Sequence, residues 1–174
     1  MNSFEKKPAD PVRKLIFCGL MTALITVGTL LSFPIAGGQG FVNFGDALIH
    51  TSAYLIGGWQ CAAVAAMGSA LADLILGYPV FIPCTFIVKG LMAFVGMLLL
   101  KKIRFKPAVF ALSGLIMPLG YFLYELILAQ AGVWEKTIAI ADLPWNLIQF
   151  AVGAVIGSIL VTIFRQNETT QEKP

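Results

Sequence analysis

The chain has 174 residues, of which 58% are hydrophobic and only 12% are charged, and its mean hydropathy is +0.85. Soluble domains are roughly 45–50% apolar and about 25% charged, so this composition excludes an ordinary soluble protein and predicts an integral membrane protein. At about 20 residues per spanning helix, the length suits about six helices without a soluble domain. The net charge of +3 says little by itself, because in a membrane protein the positions of the charges matter.

Apolar runs separated by glycine, proline and basic residues predict an all-α membrane protein, a compact bundle of six transmembrane helices. The helices are predicted over residues 15–33, 43–56, 59–76, 81–100, 107–130 and 143–164. The Gly/Pro-rich stretch 34–42 and the polar stretch 131–142 are predicted as loops. One substrate-binding domain over 13–165 is therefore expected between two polar tails, 1–12 and 166–174.

The positions of lysine and arginine predict the orientation of the bundle. With the N-terminus inside, the outer side holds only Lys136. The cytoplasmic side then holds the basic residues near the other helix ends, Lys6, Lys7, Arg13, Lys14, Lys101, Lys102, Arg104, Lys106, Arg165 and Lys173, while Lys89 lies inside a span. Both termini are therefore expected in the cytoplasm.

The cysteines do not indicate a disulfide framework or a metal site. Cys18, Cys61 and Cys84 are odd in number and lack CxxC or Cys/His ligand spacing. We expect no metal and no cofactor.

Polar residues inside the predicted spans are concentrated in their outer halves. An ionisable group at membrane depth costs about 2.5–3.5 kcal/mol, so such groups normally face a bundle interior or a cavity. Pairs at i,i+4 or i,i+3 place them on one face of each of five helices. These residues are Asp46, His50, Ser69, Asp73, Thr85, Lys89, Tyr121, Tyr124, Glu125, Trp145, Asn146 and Gln149. The pattern predicts a cup that opens outward and is closed beneath, whereas a proton channel would need polar residues through the whole thickness.

Four of these residues also have a structural interpretation. Asp73 and Lys89 lie at similar depth on adjacent helices, and an ion pair between them is favoured over ligand contact. Asp46 follows a helix start and is equally consistent with a cap or a ligand contact. His50 is expected to be a hydrogen-bonded core residue.

The remaining members are the better ligand candidates. Glu125, Asn146 and Gln149 have no obvious partner in the sequence, and Tyr121 or Trp145 would stack on a flat ring. Aromatic and amide groups together suit a polar heteroaromatic ligand.

Small residues form a second pattern. Gly153 and Gly157 make a GxxxG motif in the last helix, and Gly19 and Ala23 give the first helix a smooth face. Such faces let helices approach closely. For Gly19 and Ala23, internal packing is slightly favoured over docking of a partner protein.

The motifs NFGD at 43–46, GSALADL at 68–74 with Gly77-Tyr78, and IVKGLM at 87–92 occur in order. Together they resemble the substrate-binding S component of energy-coupling factor (ECF) vitamin transporters, in a branch linked with pyridoxine, hydroxymethylpyrimidine and riboflavin-like substrates. The resemblance implies a six-helix protein that binds a vitamin near the outer surface, under the loop after the first helix. It also implies docking onto a transmembrane T component and two ATPase subunits, through a face similar to the family's AxxxA pattern, although Gly19 departs from it.

The expected function is high-affinity binding of a small vitamin or precursor for an ATP-driven importer in the bacterial cell membrane. Pyridoxine or hydroxymethylpyrimidine is favoured, and riboflavin or another vitamin is the alternative. The candidate substrate-binding residues are Asn43, Asp46, Asp73, Lys89, Tyr121, Glu125, Trp145, Asn146 and Gln149. The chain has no GxxxxGK[ST] motif, so ATP hydrolysis would fall to partners. The alternatives are a stand-alone secondary transporter or channel for a small polar solute and a small membrane enzyme. An enzyme would need a nucleophile–base pair or a metal cluster, and one histidine with scattered carboxylates does not indicate either. No nucleic-acid partner is expected.

Overall fold

The computed structural model describes residues 11–34, 41–133 and 135–171. Predictions for the other positions, which include most of the N-terminal tail and the centre of the first loop, lie outside the described residues. The elements in chain order are α1 (Pro11–Leu30), β1 (Ser32–Pro34), β2 (Phe41–Asn43), α2 (Gly45–Leu55), α3 (Gln60–Leu76), a 3-10 turn (Pro79–Phe81), α4 (Ile82–Lys102), α5 (Lys106–Gly114), α6 (Ile116–Gln130) and α7 (Lys136–Gln171).

The described residues form the predicted bundle of six helices, because α5 and α6 are two parts of one apolar segment, Lys106–Gln130. Within the described part of the chain, four segments are long and apolar enough to cross a membrane: Pro11–Leu30, Pro79–Lys102, Lys106–Gln130 and Lys136–Gln166. By contrast, α2 has 11 residues and α3 has 17. At 1.5 Å per residue, α2 extends only about 16 Å, roughly half of the hydrocarbon thickness.

The predicted bounds of the first and last helices are wrong. The first helix begins at Pro11 and ends at Leu30, because Ser32–Pro34 pairs antiparallel with Phe41–Asn43 as a short hairpin. The last helix begins at Lys136 and not near residue 143, with Pro144 inside it, and it continues to Gln171 through part of the predicted tail. A helix of 36 residues is longer than a bilayer is thick. The helix therefore continues at both ends through polar residues beyond the apolar region.

The predicted glycine breaks are confirmed. Gly57 and Gly58 have φ of 59° and 62° in the turn between α2 and α3, and Gly77 ends α3 with φ of 80°. Left-handed backbone of this kind favours glycine, which has no Cβ.

Close helix packing depends on small residues. The main interfaces pair α3 with α4, α2 with α7, and α1 with α3. A Cβ atom added at Gly153 would lie 2.7 Å from Cβ of Asp46, and one at Gly157 would lie 2.9 Å from Cβ of His50. The GxxxG motif therefore packs α7 directly against α2, and it serves internal packing.

The small face of α1 is not internal packing, so that expectation is wrong. Gly19 and Ala23 are exposed, and a Cβ at Gly19 would meet no atom within 4 Å. The buried side of α1 carries Met21 and Ile25 instead. Gly19 and Ala23 thus form an unoccupied helix face.

Candidate functional site

A polar cavity lies at one end of the bundle, where the end of α1, the hairpin, the end of α3, the start of α4, the end of α6 and the first half of α7 meet. It encloses about 530 Å³ of empty space, counted out to its open mouth. The lining residues are Thr29, Asn43, Ser69, Asp73, Tyr78, Phe81, Thr85, Lys89, Tyr121, Glu125, Asp142, Asn146 and Gln149. Polar residues from four of the five predicted helix faces meet here, but Asp46 and His50 on α2 do not line the cavity.

Seven of the nine candidate binding residues line this cavity, and two do not. Asp46 is 1% exposed and lies behind the lining, where it holds two of the lining side chains. Trp145 is 38% exposed and is not part of the lining, so of the two rings expected to stack on a ligand only Tyr121 borders this space.

The partner of Lys89 is Asp46 and not Asp73. Lys89 Nζ donates to Oδ1 of Asp46, while Nε2 of Gln149 donates to Oδ2 of the same carboxylate at 3.0 Å. All three side chains are at least 96% buried. The predicted Asp73–Lys89 ion pair is therefore wrong, and the carboxylate that balances Lys89 comes from α2.

Gln149 and Asn43 extend this network to the hairpin. Oε1 of Gln149 accepts from the backbone N–H of Asn43 at 3.1 Å and from its Nδ2 at 3.3 Å. Oδ1 of Asn43 accepts from the N–H of Gly45 at 2.8 Å, at the start of α2. Asn43 therefore accepts a hydrogen bond from the first N–H group of α2, and the capping role considered for Asp46 is wrong. Gln149, for which the sequence indicated no partner, is bonded to both Asn43 and Asp46.

Three carboxyl groups line the cavity among the described residues, and Asp46 lies behind them. Glu125 is 2% exposed, Asp73 is 3% exposed and Asp142 is 1% exposed. Among the described residues, no donor reaches Oε2 of Glu125 or Oδ2 of Asp73. Buried polar atoms without a partner are rare in proteins, and here they adjoin an open space. The cavity thus presents acceptors, while the charge of its one lining lysine is already matched by Asp46.

Asp142 was missed because residues 131–142 were predicted as a loop. The helix extends through it, so Asp142, Asn146 and Gln149 share one face of α7 at i, i+4 and i+7. The same spacing rule that grouped Asn146 with Gln149 would have found Asp142, had the helix been started one turn earlier.

The aromatic wall consists of Tyr78, Phe81 and Tyr121. The Tyr121 and Thr85 hydroxyls are hydrogen-bonded at 2.7 Å, and Lys89 Nζ lies 5.5 Å from the centroid of the Tyr121 ring. The Phe81 and Tyr121 rings are 6.2 Å apart between centroids. Tyr121 is held in place by these contacts, which leaves an ordered ring at the edge of the cavity.

His50 lies one turn deeper than Asp46 and is not part of the lining. Its ring stacks on Phe110 with centroids 4.6 Å apart, and neither ring nitrogen has a hydrogen-bond partner among the described residues. His50 is a buried core residue, as predicted, but the prediction that it is hydrogen-bonded is wrong.

A small helical membrane protein with a polar, aromatic-edged cavity at one end is built to bind a small polar molecule. The family described as "ECF-type riboflavin transporter, S component" matches residues 10–166. The chain belongs to this family, and it is therefore an S component of an ECF-type vitamin transporter. The family is one of transporter components and not of enzymes.

Two relatives cover most of the chain. The thiamine precursor transporter HmpT of Lactococcus lactis subsp. cremoris is 31% identical over 151 residues, which is 86% of each chain. An uncharacterized protein of Pyrococcus woesei is 31% identical over 154 residues, 82% of this chain and 95% of the relative.

Two solved structures share the fold. The S component of a bacterial ECF transporter superposes with a TM-score of 0.70 at 19% identity, over 94% of this chain and all of the other. The S component for biotin from an ECF-type ABC transporter superposes with a TM-score of 0.63 at 15% identity, over 89% and 92%.

Proposed function

We propose that this S component binds a small one-ring vitamin precursor that carries several hydrogen-bond donors, of the hydroxymethylpyrimidine or pyridoxine type. The observation that carries the proposal is the acceptor-rich lining: Glu125, Asp73 and Asp142 face the cavity, while Lys89 is engaged by Asp46. A ligand with an exocyclic amine, ring N–H or hydroxyl groups could donate to the unpartnered oxygens, Oε2 of Glu125 and Oδ2 of Asp73. An anionic ligand would meet three carboxyl groups without a free cation beside it.

The shape of the site supports the same class of ligand. Tyr121 supplies an ordered ring against which a flat heterocycle can stack, with Glu125 and Asn146 at hydrogen-bonding positions around its edge. Asn43, Asp46, Lys89 and Gln149 would act mainly by holding the hairpin, α4 and α7 together around the ligand. The 31% identity to a thiamine precursor transporter favours hydroxymethylpyrimidine among the candidates.

The transport complex is proposed from the family and from the exposed face of α1. We infer that Gly19 and Ala23 dock against a transmembrane T component, and that two ATPase subunits supply the energy in a bacterial cell membrane. The substrate-binding domain proposed at the outset, residues 13–165, contains both surfaces. A stand-alone transporter would instead support uptake by this chain alone in proteoliposomes with a proton gradient.

Calorimetry on the purified protein tests the ligand class, with hydroxymethylpyrimidine, pyridoxine and riboflavin titrated in turn. Glu125→Gln should weaken binding of the preferred one-ring ligand roughly 5- to 150-fold, because leaving a buried group unpaired costs about 1–3 kcal/mol. Asn146→Ala should act in the same range. Glu135→Gln is the matched control, since Glu135 is exposed and outside the cavity.

The outcomes separate the parts of the proposal. Binding of riboflavin alone would refute the one-ring ligand and leave the membership of the family intact. Unchanged affinity in folded Glu125→Gln and Asn146→Ala variants would show that the ligand binds outside this cavity.

A further inference from the structure

A concave basic surface lies at the end of the bundle opposite to the cavity. This basic pocket is formed by the cationic side chains of Lys101, Lys102, Arg104, Lys106 and Arg165. Along α4, Lys102 follows Thr85 of the cavity by 17 positions, or about 26 Å at 1.5 Å per residue. The pocket is therefore a separate site. The space between its walls, together with the solvent at its mouth, is about 1780 Å³.

The charges of the basic pocket are brought together by the tertiary fold. Lys106 begins α5, and Arg165 comes from α7 about 60 residues later. Nζ of Lys106 lies 5.6 Å from the ring centroid of Tyr54, which comes from α2. The described lining contains no Asp or Glu. A concavity lined by several cations focuses a positive potential that attracts anions. Orientation in the membrane requires basic residues near helix ends, but it does not require this convergence.

The other wall of the basic pocket is apolar. Leu55, Ile56, Met97, Leu100 and Ile103 line it beside the cations. A free phosphate would use only the charged wall, whereas an amphiphile would use both. The pocket also adjoins the ends of α4 and α7, two of the segments that are long enough to span a membrane, so it lies at the membrane boundary.

We propose that the basic pocket binds the headgroup phosphate of an anionic phospholipid of the cytoplasmic leaflet. The first methylene groups of an acyl chain, next to the glycerol, pack on the apolar wall, while Lys106 and Arg165 contact the phosphate from two different helices. Basic pockets between helices on the cytoplasmic side are sites of this chemistry. The bound lipid would tie α7 to the α4–α5 junction.

Native mass spectrometry of the purified protein tests this proposal, with dioleoyl phosphatidylglycerol and dioleoyl phosphatidylcholine as the two probes. The wild-type chain should bind phosphatidylglycerol at least about tenfold more tightly. The variant Lys106→Gln with Arg165→Gln should weaken that binding roughly 10- to 30-fold, because each basic residue near an anionic surface contributes about 1 kcal/mol. Phosphatidylcholine binding should stay unchanged.

The matched control is Arg13→Gln with Lys14→Gln, which removes two exposed charges from the start of α1 outside the pocket. It should change phosphatidylglycerol binding by less than about threefold, since a diffuse surface charge is screened. Equal weakening in both double variants would overturn the proposal, because it would show a general effect of net charge. If the first variant does not fold, Lys101→Gln with Lys102→Gln removes two exposed charges of the same pocket and carries the same expectation.

Two further measurements exclude other occupants. Displacement of the lipid by glycerol phosphate at an equal concentration would show that the pocket binds a free phosphate, and it would overturn the lipid assignment. Normal lipid binding by Lys106→Gln with Arg165→Gln, combined with failed co-purification with ATPase subunits, would assign the pocket to a protein partner instead.

Discussion

The buried contact between Lys89 and Asp46 leads to the most specific prediction from this structure. Lys89→Met removes the cation and leaves the Asp46 carboxylate, 1% exposed, with Gln149 as its remaining side-chain partner among the described residues. Breaking a buried ion pair from one side costs about 3–5 kcal/mol, because an uncompensated charge stays buried. The single variant should therefore lose a large fraction of the roughly 5–15 kcal/mol that stabilises a typical domain.

The compensating change separates the two candidate carboxylates. Adding Asp46→Asn removes the stranded charge and keeps a side-chain oxygen that can accept from Nε2 of Gln149. The double variant should recover at least about 2 kcal/mol, within the range measured for residues in direct contact. Adding Asp73→Asn instead leaves Asp46 unpaired, so it should recover less than about 0.5 kcal/mol. Asp73→Asn with Lys89→Met is thus the matched control.

Unfolding by sodium dodecyl sulfate in mixed micelles, followed by tryptophan fluorescence, measures these free energies. The wild type, three single variants and two double variants complete both thermodynamic cycles. Equal recovery with Asp73→Asn would show that Lys89 pairs with Asp73, as sequence depth alone had indicated. No loss of stability in Lys89→Met would refute the ion pair altogether.

Three other predictions follow from helix packing and charge. Gly153→Ala should destabilise the protein by about 1–3 kcal/mol and loosen the α2–α7 contact. Gly19→Ala, which has open space around it, should have little effect in the same unfolding assay. Equal effects of the two changes would contradict the packing role of Gly153. Ala23→Leu should block co-purification with a T component while calorimetry shows unchanged ligand affinity, and a loss of affinity would argue against docking through this face. In a cysteine-free background, an impermeant thiol reagent added to intact cells should label Val133→Cys and not Lys102→Cys, and the reverse pattern would invert the proposed orientation.

Local patterns in the sequence were sufficient for the helices and for the position of the site. Hydrophobic runs and glycine breaks such as Gly57-Gly58 and Gly77 depend on neighbouring residues alone, so the six-helix fold was predictable. Depth along a helix is also a local property, since each residue adds a constant rise. The gathering of Asp73, Glu125 and Asn146 at one end therefore followed from counting residues.

The partners within the site were decided by the tertiary structure. Asp46 and Asp73 are similar in depth, and only the rotation and proximity of α2, α4 and α7 place Lys89 against Asp46. Gly153 sets that proximity, because a side chain there would collide with Asp46, and the same contact brings Gln149 onto the carboxylate. Residue counting shows how far along a helix a residue lies, but it does not show which neighbouring helix its side chain meets. The sequence therefore located the cup, and the packing of α7 on α2 determined how it is held together.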